Sequence, residues 1–360
     1  MKLPKLKLEK VLVITGRDAV KISILSIIIA FVIFSAFIFL EGANPINVYK
    51  CVFSYAFDPK TGLQTMIHRS TLLLFATLAF ILPLKAGLWN VGMEGQLYVG
   101  TVGAFAVAYA YGNLSPTILI PLMLISAGSF GAVYGAFAGF LRGKFGVNEI
   151  VITLMLNNIA FWLLHALIMP PTGPWRGIAE SQSRPLPSSA MAPTVWKFPF
   201  TVIIAPVISV LLFFLFEKTR IGFQIKALGS SQPAAEHAGI DPAKIAIFVM
   251  AVGGAIAGLS AYHMWAGDPS FGRIPRPDAY KGIGELTYWG IMVGLVCLLN
   301  PLAAIPLSIF VGSLREGGTI LVRRYGLTYG LDRVFLGILF LSFIALQFFY
   351  RYKIVRKKKV

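Results

Sequence analysis

Apolar runs long enough to cross a membrane as helices recur along the whole of this 360-residue sequence. A helix needs roughly 20 apolar residues to cross the hydrocarbon core of a bilayer. Because backbone groups in lipid must be hydrogen-bonded within the segment itself, such runs are expected to cross as helices. The polar stretches between the runs are too short for a separate soluble domain. We therefore predict an all-α integral membrane protein with one transmembrane domain, residues 22–350.

Ten transmembrane helices are expected, which would leave both termini on the same side. Composition agrees, since 57% of the residues are hydrophobic, 13% are charged and the mean hydropathy is +0.76, all outside the usual range of soluble domains. The first run is too long for the apolar part of a signal peptide, so we expect it to be retained as a span. The predicted spans are 22–40, 70–88, 94–112, 117–141, 149–169, 200–217, 245–266, 284–299, 302–322 and 334–350.

Lysine and arginine are unevenly distributed between the two sets of connections. With both termini inside, more than half of the 32 Lys and Arg residues fall in the inner segments, as the positive-inside rule requires. The net charge of +17 is thereby explained by membrane orientation, and no nucleic-acid partner is needed. We predict a cytoplasmic N-terminal segment, residues 1–21, and a basic cytoplasmic tail, residues 351–360.

Two connections are more than simple turns. The proline-rich outer loop 170–199 is expected to be irregular, with short helical turns. The inner loop 217–244 is long and carries helix signals of its own. A weak internal similarity also exists, because residues 145–148 and 325–328 each precede a span, on opposite sides of the membrane in this topology. An inverted repeat would produce that relationship.

The inner loop contains the sequence signals of a short capped helix. Ser231 is a good N-cap, Pro233 suits the first turn, and Gly239 suits a left-handed helix end. Asp241 followed by Pro242 then reads as the start of the next helix. The pattern predicts a rigid cytoplasmic helix and turn. On capping signals alone, a well-formed connecting loop is a simpler interpretation than a docking element for a partner.

The segment between the second and third spans contains an unusual number of helix-breaking residues. Glycines occupy positions 87, 92 and 95, and Pro83 lies just before them. A continuous helix over residues 70–112 is therefore not expected, and a break or tight turn is. Non-helical backbone at membrane depth survives only where it is buried in protein or lines a wet cavity.

Polar side chains cluster in and after this break. Asn90, Glu94 and Gln96 are expected to face protein or water rather than lipid. Near a helix start, Glu94 is also favoured by the helix dipole, so capping and lining of a solute path remain two open interpretations.

A second polar group opens the fifth span. Asn148 and Glu149 lie at its start, and Asn157 lies deeper on nearly the same helix face as Asn148 and Thr153. Amides in an apolar helix need a partner, which is either a solute or a neighbouring helix. Asn157 is the best pathway candidate by spacing, and an interhelical hydrogen bond is the alternative. Residues 142–149 are a candidate cytoplasmic gate.

Other titratable groups give weaker signals. Arg315 and Glu316 lie within the ninth apolar run, so either they line a cavity or that span is interrupted. His165 and His263 have no second histidine or carboxylate at ligand spacing and are interpreted as packed side chains, not metal ligands.

The two cysteines, Cys51 and Cys297, fit no disulfide or metal-binding pattern.

Three stretches resemble the motifs of one family of transport proteins. Residues 90–96, NVGMEGQ, resemble the N-I-G-x-E-G-Q signature of ABC-importer permeases that work with Bmp-type, purine-nucleoside-binding lipoproteins. Residues 146–157, GVNEIVITLMLN, are similar to the G-V-N-E-x-x-x-T-x-M-L-N stretch of the same branch. Residues 227–240, ALGSSQPAAEHAGI, resemble the EAA…G coupling loop in the form seen in the simple-sugar and nucleoside branch, except that Pro233 stands where many permeases have Glu.

The resemblance implies a permease subunit in the cell membrane of a prokaryote that moves a purine nucleoside or a simple sugar inward by alternating access. It implies three partners: an ABC ATPase subunit that binds ATP and magnesium, a second homologous permease forming a heterodimer, and a substrate-binding lipoprotein. No cofactor and no metal are expected in this chain, which lacks GxxxxGK[ST]. The residues expected to couple to the ATPase are Ser231, Pro233, Ala234, Ala235, Gly239 and Ile240.

Candidate pathway residues follow from the polar groups described above. They are Asn90, Glu94, Gln96, Asn148, Glu149 and Asn157. Trp89 and Trp162 are further candidates for stacking on a base or a sugar. The main alternative is a secondary transporter driven by an ion gradient, which would also use broken helices but would not need the capped inner helix. An intramembrane enzyme and a channel lack supporting motifs.

Overall fold

The computed structural model describes residues 6–10, 16–169, 172–177, 182–267, 272–275, 284–327 and 330–356. Thirteen α-helices and four short strands lie within these residues. The helices are α1 Gly16–Leu40, α2 Pro45–Phe57, α3 Leu63–Lys85, α4 Met93–Ala110, α5 Pro116–Phe145, α6 Glu149–Ile168, α7 Ile204–Lys218, α8 Arg220–Ser230, α9 Gln232–His237, α10 Pro242–Ala266, α11 Gly284–Val296, α12 Pro301–Tyr325 and α13 Leu331–Arg351. The strands are β1 Leu6–Lys10, β2 Thr194–Val195, β3 Phe198–Pro199 and β4 Tyr352–Arg356.

The predicted all-α membrane architecture is confirmed. Eight helices among the described residues are long and apolar enough to cross a membrane, and each corresponds to a predicted span. The remaining two predicted spans correspond to α4, whose first turn carries polar side chains, and to α11, which has 13 residues. The count of ten therefore stays a prediction. Helix α2 and the strands were not expected from the sequence.

The chain forms two compact units, of which the first comprises residues 1–63 and 313–360. Helix α1 packs against α13, where Phe31 and Phe335 have ring centroids 5.0 Å apart. Strand β1 pairs antiparallel with β4, so that Lys10 lies opposite Tyr352. The predicted terminal segments, residues 1–21 and 351–360, thus contact each other through β1 and β4. Helix α12 continues through Arg315 without interruption, so the predicted span is intact there.

The second unit comprises residues 64–312, and its centre is formed by α4, α5 and α10. These helices approach at glycines. A Cβ on Gly135 would lie 3.0 Å from the carbonyl carbon of Met250, and one on Gly100 would lie 2.6 Å from the Gly258 Cα. Small residues allow such close backbone contact in membrane helices. The tight packing accounts for the burial of most of α4 and α10 and of the glycine-bearing face of α5.

The described parts of loop 170–199 lie in the same unit and match the expectation of short helical turns. A 3-10 turn covers Ser188–Ala190, and β2 and β3 form a small hairpin whose turn residues Trp196 and Lys197 have positive φ. Ser189 Oγ donates to the Gly112 carbonyl at 2.7 Å, which attaches the loop to the end of α4.

The two helix ends in the possible internal repeat have the same local geometry. Gly146 ends α5 with φ of 67° and Gly326 ends α12 with φ of 64°. The Gly146 N–H bonds to the Arg142 carbonyl at 3.0 Å, and the Gly326 N–H bonds to the Val322 carbonyl at 3.1 Å. Both positions need a residue that tolerates a left-handed conformation. The inverted relationship itself stays a prediction.

Candidate functional site

The break expected between the second and third spans is present. Helix α3 ends at Lys85 and α4 begins at Met93. Gly87, with φ of 80°, turns the chain out of α3, and the Leu88 N–H bonds back to the Pro83 carbonyl at 3.0 Å. Residues 86–92 form a non-helical connection, which we call the α3–α4 connection.

Two buried amides hold this connection together from inside. Asn90 is fully buried and Gln96 is 2% exposed. Asn90 Nδ2 donates to Gln96 Oε1 at 3.0 Å, and Gln96 Nε2 donates to Asn90 Oδ1 at 3.0 Å. Asn90 also accepts from the Gly92 N–H at 3.2 Å and donates to the Ala79 carbonyl at 3.2 Å. The structure thus places these two predicted pathway residues in the protein interior, with their polar groups bonded to each other.

Asn157 binds the same connection from the neighbouring helix α6. Its Oδ1 accepts from the Gly95 N–H at 2.8 Å, and its Nδ2 donates to the Val91 carbonyl at 2.9 Å. The first N–H groups of a helix have no partner within the helix, so Asn157 acts as an external cap for α4. The interhelical hydrogen bond, which was the alternative interpretation of this residue, is therefore present.

Asn148 and Glu149 stabilise the start of α6. Asn148 is its N-cap, accepting from the Ile150 N–H at 2.9 Å. Glu149 is 8% exposed, and its carboxylate lies 3.3 Å from Arg142 Nε and accepts from the Trp89 N–H at 3.4 Å. A buried carboxylate requires such partners. Both side chains have structural partners, and Glu149 links α6 to α5 and to the α3–α4 connection.

Glu94 is the residue of the 90–96 motif whose carboxylate lines a cavity. The cavity has a volume of 290 Å³, near the lower end of ligand-sized pockets. Tyr98 Oη donates to Glu94 Oε1 at 2.6 Å. The cavity walls carry a carboxylate, two amides, a threonine hydroxyl and two aromatic rings beside aliphatic groups. The lining residues are Val91, Glu94, Leu154, Asn157, Asn158, Phe161, Thr287 and Tyr288.

The cavity therefore contains two of the six predicted pathway residues, Glu94 and Asn157. Neither Trp89 nor Trp162 is among its lining residues. Trp89 instead packs edge-on against Phe80 at 5.6 Å, and Trp162 is 61% exposed on α6. Their expected role in stacking on a solute is thus not supported by their positions.

Residues from α11 were missed by the sequence reasoning. Thr287 and Tyr288 lie far along the chain from the motif and have no distinctive spacing. Phe161 was missed as well, although it follows Asn157 by one helical turn, a spacing that places both on the same face of α6. Phe161 and Tyr288, rather than the tryptophans, provide the aromatic surface of the cavity.

The predicted inner helix is present as α9. Ser231 Oγ accepts from the Ala234 N–H at 3.4 Å, Gly239 has φ of 79°, and Asp241 Oδ1 accepts from the Ala243 N–H at 2.9 Å. The side chain of Ala235 is 2% exposed, and that of Ile240 is 7% exposed. The predicted coupling residues thus divide into two groups, because Ser231, Pro233, Ala234 and Gly239 are exposed whereas Ala235 and Ile240 pack inward.

An additional helix, α8, precedes α9 and was not predicted. Thr219 caps it, accepting from the Gly222 N–H at 3.0 Å, and Ile225 and Leu228 are buried along one face. The prediction of one short helix projecting from the membrane was therefore incomplete. Together α8 and α9, residues 220–237, form a packed element that we call the α8–α9 element.

The α8–α9 element contacts the α3–α4 connection directly. Gly229 packs against the Lys85 carbonyl, and a Cβ there would lie 3.2 Å from the Ala86 carbonyl carbon. A second cavity of 370 Å³ lies at this contact, lined in part by Gly87, Arg142, Gly146 and Gln232. The residues 142–149 proposed as a gate thus lie beside the α8–α9 element.

His263 is a packed side chain, as interpreted from the sequence, and it packs against a histidine from another helix. His68 and His263 stack with ring centroids 4.2 Å apart. His263 Nδ1 lies 2.7 Å from Thr201 Oγ1, and its Nε2 lies 3.1 Å from the His68 carbonyl. Sequence spacing missed this pair because the two residues come from α3 and α10. Among the described residues no group of three or more His, Cys, Asp or Glu side chains could hold a metal ion, and Cys51 and Cys297 are separate free thiols.

Comparison with known proteins agrees with this architecture. Residues 62–344 match the family model described as branched-chain amino acid transport system / permease component. The chain is 29% identical to the glucose ABC transporter permease protein TsgB13 of Haloferax volcanii, over 87% of this chain and 84% of that protein. It is 26% identical to the nucleoside ABC transporter permease protein NupB of Lactococcus lactis, over 83% of each chain. It is 25% identical to the guanosine ABC transporter permease protein NupP of Bacillus subtilis, over 94% of this chain and 96% of that protein.

The family model covers most of the chain, and it agrees with the resemblance to ABC-importer permeases read from the three sequence motifs. The chain therefore belongs to the permease component family of branched-chain amino acid transport systems, as a transmembrane subunit of an ATP-binding-cassette uptake system.

Proposed function

We propose that this permease moves a nucleoside, in particular a purine nucleoside, or a simple sugar inward through the cavity lined by Glu94. Relatives of similar length are named for glucose, nucleoside and guanosine transport. The cavity supports this proposal because it combines hydrogen-bonding groups with the rings of Phe161 and Tyr288. An aromatic ring can pack on a nucleobase or on the apolar face of a sugar.

The observation that carries the proposal is that one short segment connects the α8–α9 element to the cavity. At one end the Lys85 carbonyl packs against Gly229 of α8. At the other end Val91 and Glu94 line the cavity. The Gly92 N–H donates to Asn90 Oδ1 and Asn157 Nδ2 donates to the Val91 carbonyl, and these hydrogen bonds hold the segment in place. A displacement of the α8–α9 element would therefore be transmitted to the cavity wall, as alternating access driven by ATP hydrolysis requires.

The ATPase subunit is proposed to bind the exposed side of α9. Pro233 and Ala234 are exposed there, and their small side chains allow close approach. The buried Ala235 and Ile240 would hold the helix against its own chain, while Ser231 and Gly239 define its two ends. The six predicted coupling residues thus fall into three pairs, which form the docking surface, hold the helix in place and define its ends.

The remaining assignments rest on the family and on charge distribution. An ABC permease requires an ATPase subunit and usually a binding protein. We propose in addition that the second permease is a homologous chain in a heterodimer, that the binding protein is a lipoprotein, and that both termini lie in the cytoplasm of a prokaryote, as the positive-inside rule indicates. ATP and magnesium are assigned to the partner ATPase, and no cofactor is assigned to this chain.

The test is reconstitution of the permease with its ATPase and binding protein in vesicles. Ala234→Arg is expected to abolish binding of the ATPase and uptake of solute, because a long charged side chain would block the docking surface. Ala234→Ser keeps the small volume and serves as the matched control. Normal uptake by the Ala234→Arg protein would contradict the coupling assignment. Uptake driven by an ion gradient without ATP would instead support a secondary transporter.

A further inference from the structure

Thr287 lines the cavity and carries a buried hydroxyl group. We infer that Thr287 and Glu94 together bind hydroxyl groups of the transported solute, which makes them specificity-determining residues for a neutral, hydroxyl-bearing compound. The inference rests on the proposed function, because it assumes that the solute passes through this cavity. Nothing in the sequence motifs indicates a role for Thr287, which lies in the first turns of α11.

The Thr287 hydroxyl is buried and has no protein partner in the described part of the chain. The residue is 3% exposed, and its Oγ1 makes no hydrogen bond there. Threonine hydroxyls in helices ordinarily bond to a carbonyl in the preceding turn, as Thr77 does with the Leu73 carbonyl at 2.8 Å. A buried hydroxyl without a partner is unfavourable. A solute hydroxyl in the cavity would remove that penalty.

Glu94 supplies a hydrogen-bond acceptor that complements the Thr287 hydroxyl. Its carboxylate accepts one hydrogen bond from Tyr98, and a carboxylate with two oxygens can accept several more. Glu94 and Thr287 both line the 290 Å³ cavity and also a smaller space of 10 Å³. They therefore border the same cavity, where one ligand can contact both.

The chemistry of this pair restricts the class of solute. A carboxylate favours hydrogen-bond donors and repels anions strongly where water is excluded. Asn157 is neutral and does not supply this charge, and its amide already bonds to the Gly95 N–H and the Val91 carbonyl. A ribose or hexose with adjacent hydroxyl groups fits the pair, and a phosphorylated form of the same compound does not.

The experiment compares solutes that differ by one hydroxyl group, using the complete complex in vesicles. Uptake of guanosine, 2′-deoxyguanosine and 3′-deoxyguanosine, and of glucose and 2-deoxyglucose, is measured for the unaltered permease, Thr287→Val and Thr287→Ser. The same binding protein is present throughout, so its own preference cancels when each variant is compared with the unaltered permease.

We expect Thr287→Val to lower uptake of the hydroxylated solute on the order of tenfold, a typical loss for one directional contact. Uptake of the deoxy analogue that lacks the recognised hydroxyl should change less than about twofold, and Thr287→Ser should restore uptake of the parent compound. Equal losses for all solutes would show that Thr287 acts only structurally, and no loss for any would show that it has no role. If the unaltered complex takes up none of these compounds, the proposed function fails instead.

Discussion

Asn90 supplies the hydrogen bond that Pro83 removes from helix α3. Proline has no N–H and cannot donate to the carbonyl four residues earlier, which here belongs to Ala79. Asn90 Nδ2 donates to that carbonyl at 3.2 Å from the α3–α4 connection. Backbone groups at membrane depth need such compensation. Asn90, which follows the end of α3, therefore supplies the hydrogen bond that the helix lacks at Pro83.

Asn90→Leu is expected to destabilise the protein more than Gln96→Leu. Leucine at position 90 leaves the buried Gln96 amide, the Ala79 carbonyl and the Gly92 N–H without their partner, at a cost of about 1–3 kcal/mol. Leucine at position 96 leaves both ends of the Asn90 amide still bonded, to Ala79 and Gly92, so we expect a loss of about 1 kcal/mol or less.

Thermal unfolding of both variants in the same detergent measures the difference. Equal destabilisation, or a larger loss for Gln96→Leu, would contradict the hydrogen-bond arrangement.

Asn157→Leu and Asn158→Leu should likewise differ in stability. Asn157 caps α4 across the helix interface, whereas Asn158 Nδ2 donates to the Leu154 carbonyl of its own helix at 3.0 Å. Removing the interhelical bonds is expected to cost about 1–2 kcal/mol, and removing the local one about 0.5 kcal/mol or less. Unfolding midpoints of the two adjacent substitutions give the comparison. A greater loss for Asn158→Leu would exclude the capping role of Asn157.

Glu94→Leu is expected to reduce solute uptake at least tenfold, while Glu94→Gln should retain a larger fraction of it. Glutamine keeps an acceptor oxygen at the same position, but it is a weaker acceptor than a carboxylate. ATP hydrolysis by the complex is measured in parallel, because a defect in solute binding should leave assembly with the ATPase intact. Unaltered uptake by Glu94→Leu would remove Glu94 from the solute path.

The helix break and the caps could be predicted because their signals are local. Glycine at 87 and 239 and the capping residues Ser231 and Asp241 determine backbone conformation within a few residues. The polar character of the 90–96 motif also predicted that its side chains face protein or water rather than lipid. Which of its members faces the cavity could not be predicted, because that depends on the partner that each amide finds.

Contacts between distant segments carried no sequence signal. Thr287 lies beside Glu94 through packing of α11 near α4, and His68 stacks on His263 through α3 and α10. Pro83 predicts a helix break, and it also leaves the Ala79 carbonyl without its usual N–H donor. The need for a replacement donor could have indicated the role of Asn90. The positions of Thr287 and His68 could be found only from the tertiary structure.

Gly135→Ala should destabilise the packing of α5 on α10. A Cβ at this position meets the Met250 carbonyl and would lie 3.2 Å from the Gly254 Cα. Backbone atoms cannot move aside as a flexible side chain can. We therefore expect the free energy of unfolding to fall by about 1–3 kcal/mol. Gly337→Ala is the matched control, since nothing lies within 4 Å of its added Cβ, and alanine in a helix is favoured over glycine by about 0.5–1 kcal/mol. An unchanged unfolding midpoint for Gly135→Ala would contradict this close contact.

Asp241 should make the start of α10 sensitive to acid. The Lys244 N–H, at 3.2 Å from Asp241 Oδ1, lowers the pKa of this exposed carboxyl below its usual 3.8, and the Ala243 N–H acts in the same direction. Because the pKa is lower in the folded state, the cap stabilises the helix above pH 3.8 and this contribution is lost as the pH falls through the folded-state pKa. Asp241→Asn keeps a capping side chain that does not titrate. The difference in unfolding midpoint between the two proteins should therefore change as the pH is lowered from 6 towards about 3, with the Asp241 protein losing stability relative to the Asn variant. Parallel midpoints over that range would show that the carboxylate does not contribute to the cap.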